Sequence, residues 1–354
     1  MIFATSSAYS ESERNFRLGF IAKTPPHSNS CGGFGRKNAI IRGMKKVIPF
    51  CGVALSSLLV CAKGGGTVRL FPEDVKTVTI ASASSIIPQA KFQAGTNMLT
   101  RGGYRVKVMP NVCVPNPASP EVRARLFEQA WMDPETDLVL MSRGGVGAED
   151  VVGLIDWEKL RSRDMRVIGF SDVTIIVNAM LAKGVGHPYS GKMLSGVTSM
   201  TAQARDWYCA MTAGKSVPPV KVKVLKAGEA SGLPMGGHVM RMGALSKTPF
   251  MPSAKGRVVF FECTAGKYTA AMVVDELKGL RDGGFLKGAA AVVFSDFRHT
   301  GAERNKIFAF LSEFATTLDC PVFEGFPYGH CADCRLLDFR RKVSISADGV
   351  VTWE

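Results

Sequence analysis

Three residues of this sequence have the side chains that nucleophilic catalysis by a serine requires. Ser171 directly follows the apolar stretch VIGF, and the segment after it is again mostly apolar. A serine hydroxyl is a poor nucleophile unless a neighbouring base removes its proton, and that base is usually a histidine oriented by a carboxylate. His330 ends the stretch FEGFPYGH, and Glu262 ends the apolar stretch RVVFFE, where a carboxylate needs a partner. These residues could form a serine hydrolase triad.

Each of the three residues also has an ordinary structural interpretation. Serine is common at the start of helices, so Ser171 could be a helix N-cap. Glu262 could pair with a lysine such as Lys267, and His330 could be an exposed loop residue. The other histidines are His27, His187, His238 and His299. Residue types alone leave both interpretations open.

The glycine-rich stretch RGGVG, residues 143–147, could bind an anion through its backbone. N–H groups of glycines before a helix can hold a phosphate group or the oxyanion of a tetrahedral intermediate. The stretch lacks the Lys-Ser/Thr ending of a P-loop, and its glycine spacing is not that of a dinucleotide-binding turn. It is therefore only a weak signal for nucleotide binding.

The pattern of apolar segments predicts the elements that must position these residues. From Val75, strands at VKTVTIAS, YRVKVMP, DLVLMS and RVIGF alternate with predicted helices. This alternation is typical of a parallel sheet covered on both faces, in which chemistry gathers at the carboxyl ends of the strands. Ser171 and RGGVG both follow predicted strands. After Pro218 and Pro219 the chain is richer in strands, which indicates a second region.

Length and charge restrict the classes of function. The chain has 354 residues, of which 46% are hydrophobic, enough for two domains with their own cores. The net charge of +14 is divided equally between residues 1–63 and 64–354, without a basic stripe interleaved with aromatics, so we expect no nucleic-acid partner. Cys331 and Cys334 could form a disulfide in an exported protein, whereas a zinc site would need two more ligands. We predict no metal and no other cofactor.

The N-terminal segment has the pattern of an export signal. Two lysines after Met44 precede a mostly apolar run that ends near residue 62, which is the order of a secretory signal. Cys61 could instead be a lipoprotein acylation site, and the run could be a short anchor. We predict that residues 1–63 consist of a disordered basic segment and the apolar run at 44–62. If this run is a signal, the protein is exported to the periplasm or cell envelope, with a possible membrane tether. If it is not, the protein is cytoplasmic.

Six motifs taken in order resemble those of the LD-carboxypeptidases: TVTIASASSIIP, DLVLMSRGGVGAED, RVIGFSDVT, PMGGHV, RVVFFE and GFPYGH. This family of serine peptidases includes muramoyltetrapeptide carboxypeptidases and microcin C self-immunity peptidases. The resemblance extends from about residue 76 to residue 350. Its most specific part is RGG followed by GFSD some twenty-five residues later.

The resemblance implies a role for each of the residues singled out above. It implies Ser171 as nucleophile, His330 as general base and Glu262 as the carboxylate that orients it. It further implies an oxyanion hole formed by the N–H groups of Asp172 and of a glycine in RGG, for which we choose Gly145. For recognition of the substrate carboxylate we select Arg143 and Gly144, because they stand beside the oxyanion glycine.

The family's architecture agrees with the pattern of predicted elements. We predict an α/β fold in which residues 64–220 form a flavodoxin-like parallel-sheet N-terminal domain. Residues 221–354 are expected to form a smaller, β-rich α/β C-terminal domain, with the active site between the two. The resemblance also implies a homodimer and no metal or organic cofactor.

The implied reaction is hydrolysis of the amide between an L-centred residue, diaminopimelate or lysine, and the terminal D-Ala of a murein tetrapeptide. The sequence departs from the family where substrate is shaped: SGKM at 190–193 replaces a His-Gly-Pro-Met-like stretch, and His238 and Val239 replace an Asn-Leu pair. Three alternatives therefore stay open: an amidase acting on another peptide or peptide–nucleotide, a murein-peptide-binding protein with an idle triad, and a phosphate-binding module built on RGGVG.

Overall fold

The computed structural model describes residues 69–354, so the predicted signal-like segment and Cys61 lie outside the described residues. None of the helices in the described part of the chain combines the length and the apolar character needed to span a bilayer.

Strands and helices are numbered here in chain order. The strands are β1 (Thr77–Ala81), β2 (Arg105–Val108), β3 (Leu138–Met141), β4 (Arg166–Gly169), β5 (His187–Ser190), β6 (Val220–Lys221), β7 (Lys223–Lys226), β8 (Ala230–His238), β9 (Arg257–Cys263), β10 (Ala291–Phe297), β11 (Val322–Glu324), β12 (Leu337–Asp338), β13 (Val343–Ile345) and β14 (Val350–Trp353). The helices are α1 (Gln89–Arg101), α2 (Pro120–Met132), α3 (Ala148–Val152), α4 (Trp157–Leu160), α5 (Thr174–Lys183), α6 (Ala202–Thr212), α7 (Val239–Ser246), α8 (Ala270–Asp282) and α9 (Gly301–Thr316).

The first sheet has the order β12-β5-β4-β3-β1-β2. Strands β1 to β5 pair in parallel, in the order 2-1-3-4-5 that is typical of flavodoxin-like sheets. Strands β1 and β3 are buried along their whole length, as expected for continuous apolar runs covered by helices on both faces. The predicted fold class is confirmed for this part of the chain.

The second sheet is mixed and has the order β6-β14-β13-β8-β9-β10-β11-β7. Strands β8 to β11 are parallel, whereas β7, β13, β14 and β6 are added in antiparallel orientation. Helices α8 and α9 contribute buried apolar side chains to the core that covers β9 and β10. This agrees with the strand-rich second region indicated by the sequence.

Local signals in the sequence account for the bounds of several elements. Helix α2 begins at Pro120, because the Ser119 hydroxyl accepts a hydrogen bond from the Val122 N–H over 3.4 Å and proline suits the first helical position. Three strands, β5, β8 and β12, were not predicted. Strand β12 pairs antiparallel with β5, so a segment after His330 returns to the edge of the first sheet.

Helix α5 joins the two sheets through β8. The Asn178 side chain donates to the Gly236 carbonyl over 2.9 Å and accepts from the Gly236 N–H over 3.2 Å. The Thr174 hydroxyl accepts from the His238 N–H over 3.2 Å. Gly237 has a φ of 144°, and a Cβ there would lie 2.5 Å from the Thr174 hydroxyl oxygen, so a glycine permits this approach. The helix that follows Ser171 is thereby held against the strand beside β9.

Candidate active site

Ser171 lies in a sharp turn between β4 and α5. Its φ of 59° makes it the sole non-glycine residue of the range 69–354 with a positive φ. Such a conformation costs on the order of 1–3 kcal/mol and is concentrated at functional sites. The N-cap of α5 is Val173 and carries no side-chain capping bond, so the interpretation of Ser171 as a helix cap is wrong.

His330 is carried by a loop that follows β11 and lies against β9. Gly329 precedes it with a φ of 124°, and a Cβ at Gly329 would lie 2.9 Å from the Glu262 Cβ and 3.1 Å from its Oε2. The Tyr328 hydroxyl lies 2.6 Å from the Ser190 hydroxyl and ties the loop to the end of β5. The ring of Phe170, beside the nucleophile turn, lies 4.8 Å from the His330 ring. The Phe170 ring contact and the tethering of the loop therefore restrain the imidazole.

The three side chains predicted from the sequence meet between the two sheets. His330 Nδ1 lies 2.7 Å from Glu262 Oε2, and His330 Nε2 lies 3.3 Å from Ser171 Oγ. Glu262 is fully buried, whereas a quarter of the His330 side chain is exposed. Lys267 lies over the ring of Tyr268 and does not pair with Glu262, so that interpretation of Glu262 is wrong. This arrangement can transfer a proton from the serine hydroxyl to the imidazole.

The charges of Glu262 and His330 stabilise each other. Burial disfavours the imidazolium, but the adjacent Glu262 carboxylate outweighs burial and raises the pKa of His330 above 6.5. Burial likewise opposes ionisation of Glu262, but His330 lowers the pKa of this carboxyl below its usual range. Glu262 Oε1 is buried without a hydrogen-bond partner among the described residues, so the carboxylate acts on His330 through Oε2.

His238 is a second histidine at this site that the sequence marked only as a departure from the family pattern. It ends β8 directly opposite Glu262 in the pairing with β9, and its ring lies 6.0 Å from that of His330. Its Nε2 accepts from the Thr264 N–H over 3.4 Å. Burial lowers the pKa of His238 to about 4, so at neutral pH it is uncharged and leaves the Glu262 charge to His330.

The buried carboxylate of Asp172 holds the turn at Ser171 in place. Its Oδ2 accepts from the Ser84 hydroxyl over 2.6 Å and from the Ala148 N–H over 2.9 Å. Its Oδ1 lies 3.3 Å from Arg241 Nε on α7. The sequence pointed to the N–H of Asp172, not to this side chain. The buried carboxylate connects the loop after β1, the glycine-rich stretch and α7 at the residue next to Ser171.

The glycine-rich stretch borders the nucleophile through Gly144. A Cβ at Gly144 would lie 3.0 Å from Ser171 Oγ and 3.2 Å from the Asp172 N atom. Gly145 has a φ of 121° and packs against Ser85 instead. The Arg143 guanidinium donates to the Ile86 carbonyl over 3.0 Å. Of the residues selected around the oxyanion, Gly144 and Asp172 are thus the ones whose backbone lies against the serine.

Cysteine and metal chemistry receive no support from the described residues. Cys331 and Cys334 are both free thiols, and burial raises the pKa of Cys331 to about 11 and that of Cys334 to about 12. Within residues 69–354, no group of three or more histidine, cysteine, aspartate or glutamate side chains is arranged to hold a metal ion.

Known proteins resemble this chain along most of its described length. The sequence model of the LD-carboxypeptidase N-terminal domain family matches residues 78–190. The sequence model of the LD-carboxypeptidase C-terminal domain family matches residues 231–345. A predicted carboxypeptidase of Streptomyces coelicolor is 27% identical over 288 residues, which cover 77% of this chain and 90% of the relative.

Solved structures share the fold. A muramoyltetrapeptide carboxypeptidase from Oxalobacter formigenes has a TM-score of 0.70 at 23% identity, covering 78% of this chain and 98% of that one. A microcin C7 self-immunity protein in complex with aspartyl sulfamoyl adenosine has a TM-score of 0.69 at 17% identity, covering 78% and 95%. At these identities the similarity is one of fold alone.

Proposed function

The chain belongs to the LD-carboxypeptidase family of peptidases, and on that premise we propose that it is a serine peptidase that releases the terminal D-Ala of murein tetrapeptides. The scissile amide joins D-Ala to an L-centred residue, diaminopimelate or lysine. The observation that carries this proposal is the chain of contacts from buried Glu262 through His330 to Ser171. The muramoyltetrapeptide carboxypeptidase with the same fold supports the choice of substrate.

In the proposed mechanism His330 accepts the Ser171 proton while Ser171 Oγ attacks the carbonyl carbon. The oxyanion of the tetrahedral intermediate accepts hydrogen bonds from the N–H of Asp172 and from an N–H of Gly144 or Gly145. The C–N bond then breaks, and His330 gives its proton to the departing amine. Water, deprotonated by His330, hydrolyses the acyl-enzyme and restores the serine.

The first test is D-Ala release from a muramoyl tetrapeptide by the full chain and by Ser171→Ala. We expect release by the parent and none by the variant, because the hydroxyl forms the covalent intermediate. Release by both would mean that another residue is the nucleophile. No release by either, with intact folding and no labelling by a serine-directed fluorophosphonate, would favour a murein-peptide-binding protein.

A second candidate is an amidase acting on a peptide–nucleotide. The shared fold with a microcin C7 self-immunity protein bound to aspartyl sulfamoyl adenosine favours testing it. Release of aspartate from that compound, measured beside D-Ala release, separates the two substrates.

The predicted export and the predicted homodimer stay predictions. Cell fractionation tests the first, and light scattering tests the second.

A further inference from the structure

Lys192 lies beside the candidate triad, and no carboxylate of residues 69–354 is in direct contact with its ammonium group. Only 8% of this residue is exposed. Its Nζ donates one long hydrogen bond, of 3.4 Å, to the His330 carbonyl oxygen. Among the residues from 69 to 354, no carboxylate oxygen lies within 4.0 Å of this ammonium group. A buried ammonium group that has no directly paired carboxylate is well placed to bind an anionic group of a ligand.

The sheet register brings Lys192 next to the nucleophile. Strands β4 and β5 are parallel neighbours, with Gly169 opposite Ser190, and the Gly191 N–H extends the pairing by donating to the Gly169 carbonyl over 3.2 Å. Ser171 and Lys192 therefore each lie two residues beyond the paired residues Gly169 and Ser190. Adjacent strands are roughly 5 Å apart, so the Lys192 side chain starts beside the Ser171 turn and extends to the backbone of His330.

Two carboxylates, those of Glu262 and Asp296, lie near enough to Lys192 to interact with it electrostatically, but neither pairs with it directly. Glu262 is bonded to His330. Asp296 lies 3.8 Å from Arg298, and burial raises the pKa of the Asp296 carboxyl, which weakens it as a counter-ion. The positive charge of Lys192 is thus left available for an anion that enters the site from outside.

We propose that Lys192 binds the C-terminal carboxylate of the substrate on the leaving-group side of the scissile amide. The inference rests on the proposed function. In a D-Ala leaving group, the carboxylate is attached to the carbon that bears the departing amine. His330 must reach that amine to protonate it, so a cation that contacts the His330 backbone lies on the side where the carboxylate arrives. The ion pair between Lys192 and the substrate carboxylate then forms only when substrate is bound.

Arg143 is the competing cation selected from the sequence. It follows β3, which flanks β4 on the side away from β5, and its guanidinium already donates to the Ile86 carbonyl. The two residues therefore flank Ser171 from opposite sides, and a test can distinguish them.

The experiment compares two peptides that differ only at the end: one finishes in L-Lys-D-Ala with a free carboxylate, the other in its C-terminal amide. Hydrolysis of each is measured with the full-length parent, Lys192→Met, Lys192→Gln and, as a matched control on the exposed surface, Lys287→Met. We expect both neutral Lys192 variants to lose about 100-fold in kcat/KM for the carboxylate peptide and to change little for the amide. The control should keep the parent's preference.

A fluorophosphonate probe carries no carboxylate and reports on the triad itself. Unchanged labelling of Lys192→Met, with an unchanged melting temperature, would show that the loss lies in substrate recognition. Slower labelling together with an equal loss on both peptides would mean that Lys192 supports His330, which overturns the proposal. A retained preference for the carboxylate in both variants would also overturn it and favour Arg143.

Binding to the inactive protein separates this proposal from the proposed function. The affinity of both peptides is measured by calorimetry with Ser171→Ala and with Ser171→Ala combined with Lys192→Met. A preference of at least tenfold for the carboxylate that disappears in the double variant supports Lys192 even if the parent hydrolyses neither peptide. An equal affinity for carboxylate and amide in Ser171→Ala would refute it, whether or not the parent is active.

Discussion

His330 Nδ1 and Glu262 Oε2 lie 2.7 Å apart, in the shorter of the two contacts that His330 makes within the candidate triad. A neutral imidazole that donates from Nδ1 has an unprotonated Nε2, which is the atom that faces Ser171. Because β9 buries Glu262 completely, this carboxylate is both fixed in position and poorly screened. The pair therefore decides both the orientation of the base and the pH at which it works.

The pH dependence of activity should follow His330. The base must be neutral, and because Glu262 raises the pKa of His330, kcat/KM should fall with decreasing pH with an apparent pKa above 6.5. Glu262→Gln removes the charge, so the acidic limb should move to lower pH, while kcat falls roughly 10⁴-fold. A pH–rate profile of both proteins measures this. An acidic limb that stays in place in the variant would assign it to another group.

Two substitutions of Ser171 should separate its chemistry from its backbone strain. Both Ser171→Ala and Ser171→Gly remove the hydroxyl and should abolish D-Ala release. Because Ser171 has a φ of 59°, only glycine adopts the turn without strain, so Ser171→Gly should be about 1 kcal/mol more stable than Ser171→Ala. Urea unfolding compares the two. Equal stability would show that the turn relaxes in the alanine variant.

A methyl group at Gly144 should block the site without unfolding the protein. It would lie 3.0 Å from Ser171 Oγ and 3.2 Å from the Asp172 N atom, where the oxyanion is proposed to bind. We expect Gly144→Ala to lower kcat about 10²- to 10³-fold, the effect of losing one oxyanion donor. Gly279→Ala, at a helical glycine with open space around its Cβ position, is the matched control and should leave kcat unchanged. Comparable kcat values in the parent, Gly144→Ala and Gly279→Ala would contradict the placement of the oxyanion beside Gly144.

Removal of the Asp172 carboxylate should destabilise the folded protein. It leaves Arg241 and the Ala148 N–H without their buried partner, so Asp172→Ala should lose about 3 kcal/mol in the free energy of unfolding. The exposed Asp150, on the neighbouring helix α3, is the control, and Asp150→Ala should change stability by less than about 0.5 kcal/mol. Chemical denaturation gives both values. Similar values for the two variants would mean that the buried contacts of Asp172 contribute little.

His238 should make stability depend on acid. Its pKa in the folded protein is lowered from 6.5 to about 4, so below pH 6.5 the unfolded chain binds a proton that the folded protein does not. Stability is therefore lost as the pH falls from 6.5 towards 4, by about 3 kcal/mol from this group. His238→Asn should lose less than the parent between pH 7 and pH 4 in urea unfolding. Parallel losses in the two proteins would show that other groups carry the effect.

Individual strands and helices were predicted where the local sequence pattern is strong and were missed where it is weak. The apolar runs of β1, β3, β4 and β9 and the capped helix α2 specify their own conformation, and the strand order agrees with the predicted fold class. Strand β8, which reads ASGLPMGGH, was seen only as a motif because glycine and proline disfavour strands. It forms because β9 and β13 pair with it on either side.

The candidate site divides in the same way. The sequence by itself determined the residue types and the local turns: a serine directly after an apolar strand, a glutamate at the end of another, and a histidine in a glycine-containing loop. Only the tertiary structure decided that Glu262 contacts His330 and Ser171 contacts His330, across 68 and 159 positions of the chain. It also placed His238 opposite Glu262 and the Lys192 ammonium beside His330. The physical reason is that side-chain periodicity reports local burial, whereas these contacts depend on the order and register of strands that meet only when the two sheets pack together.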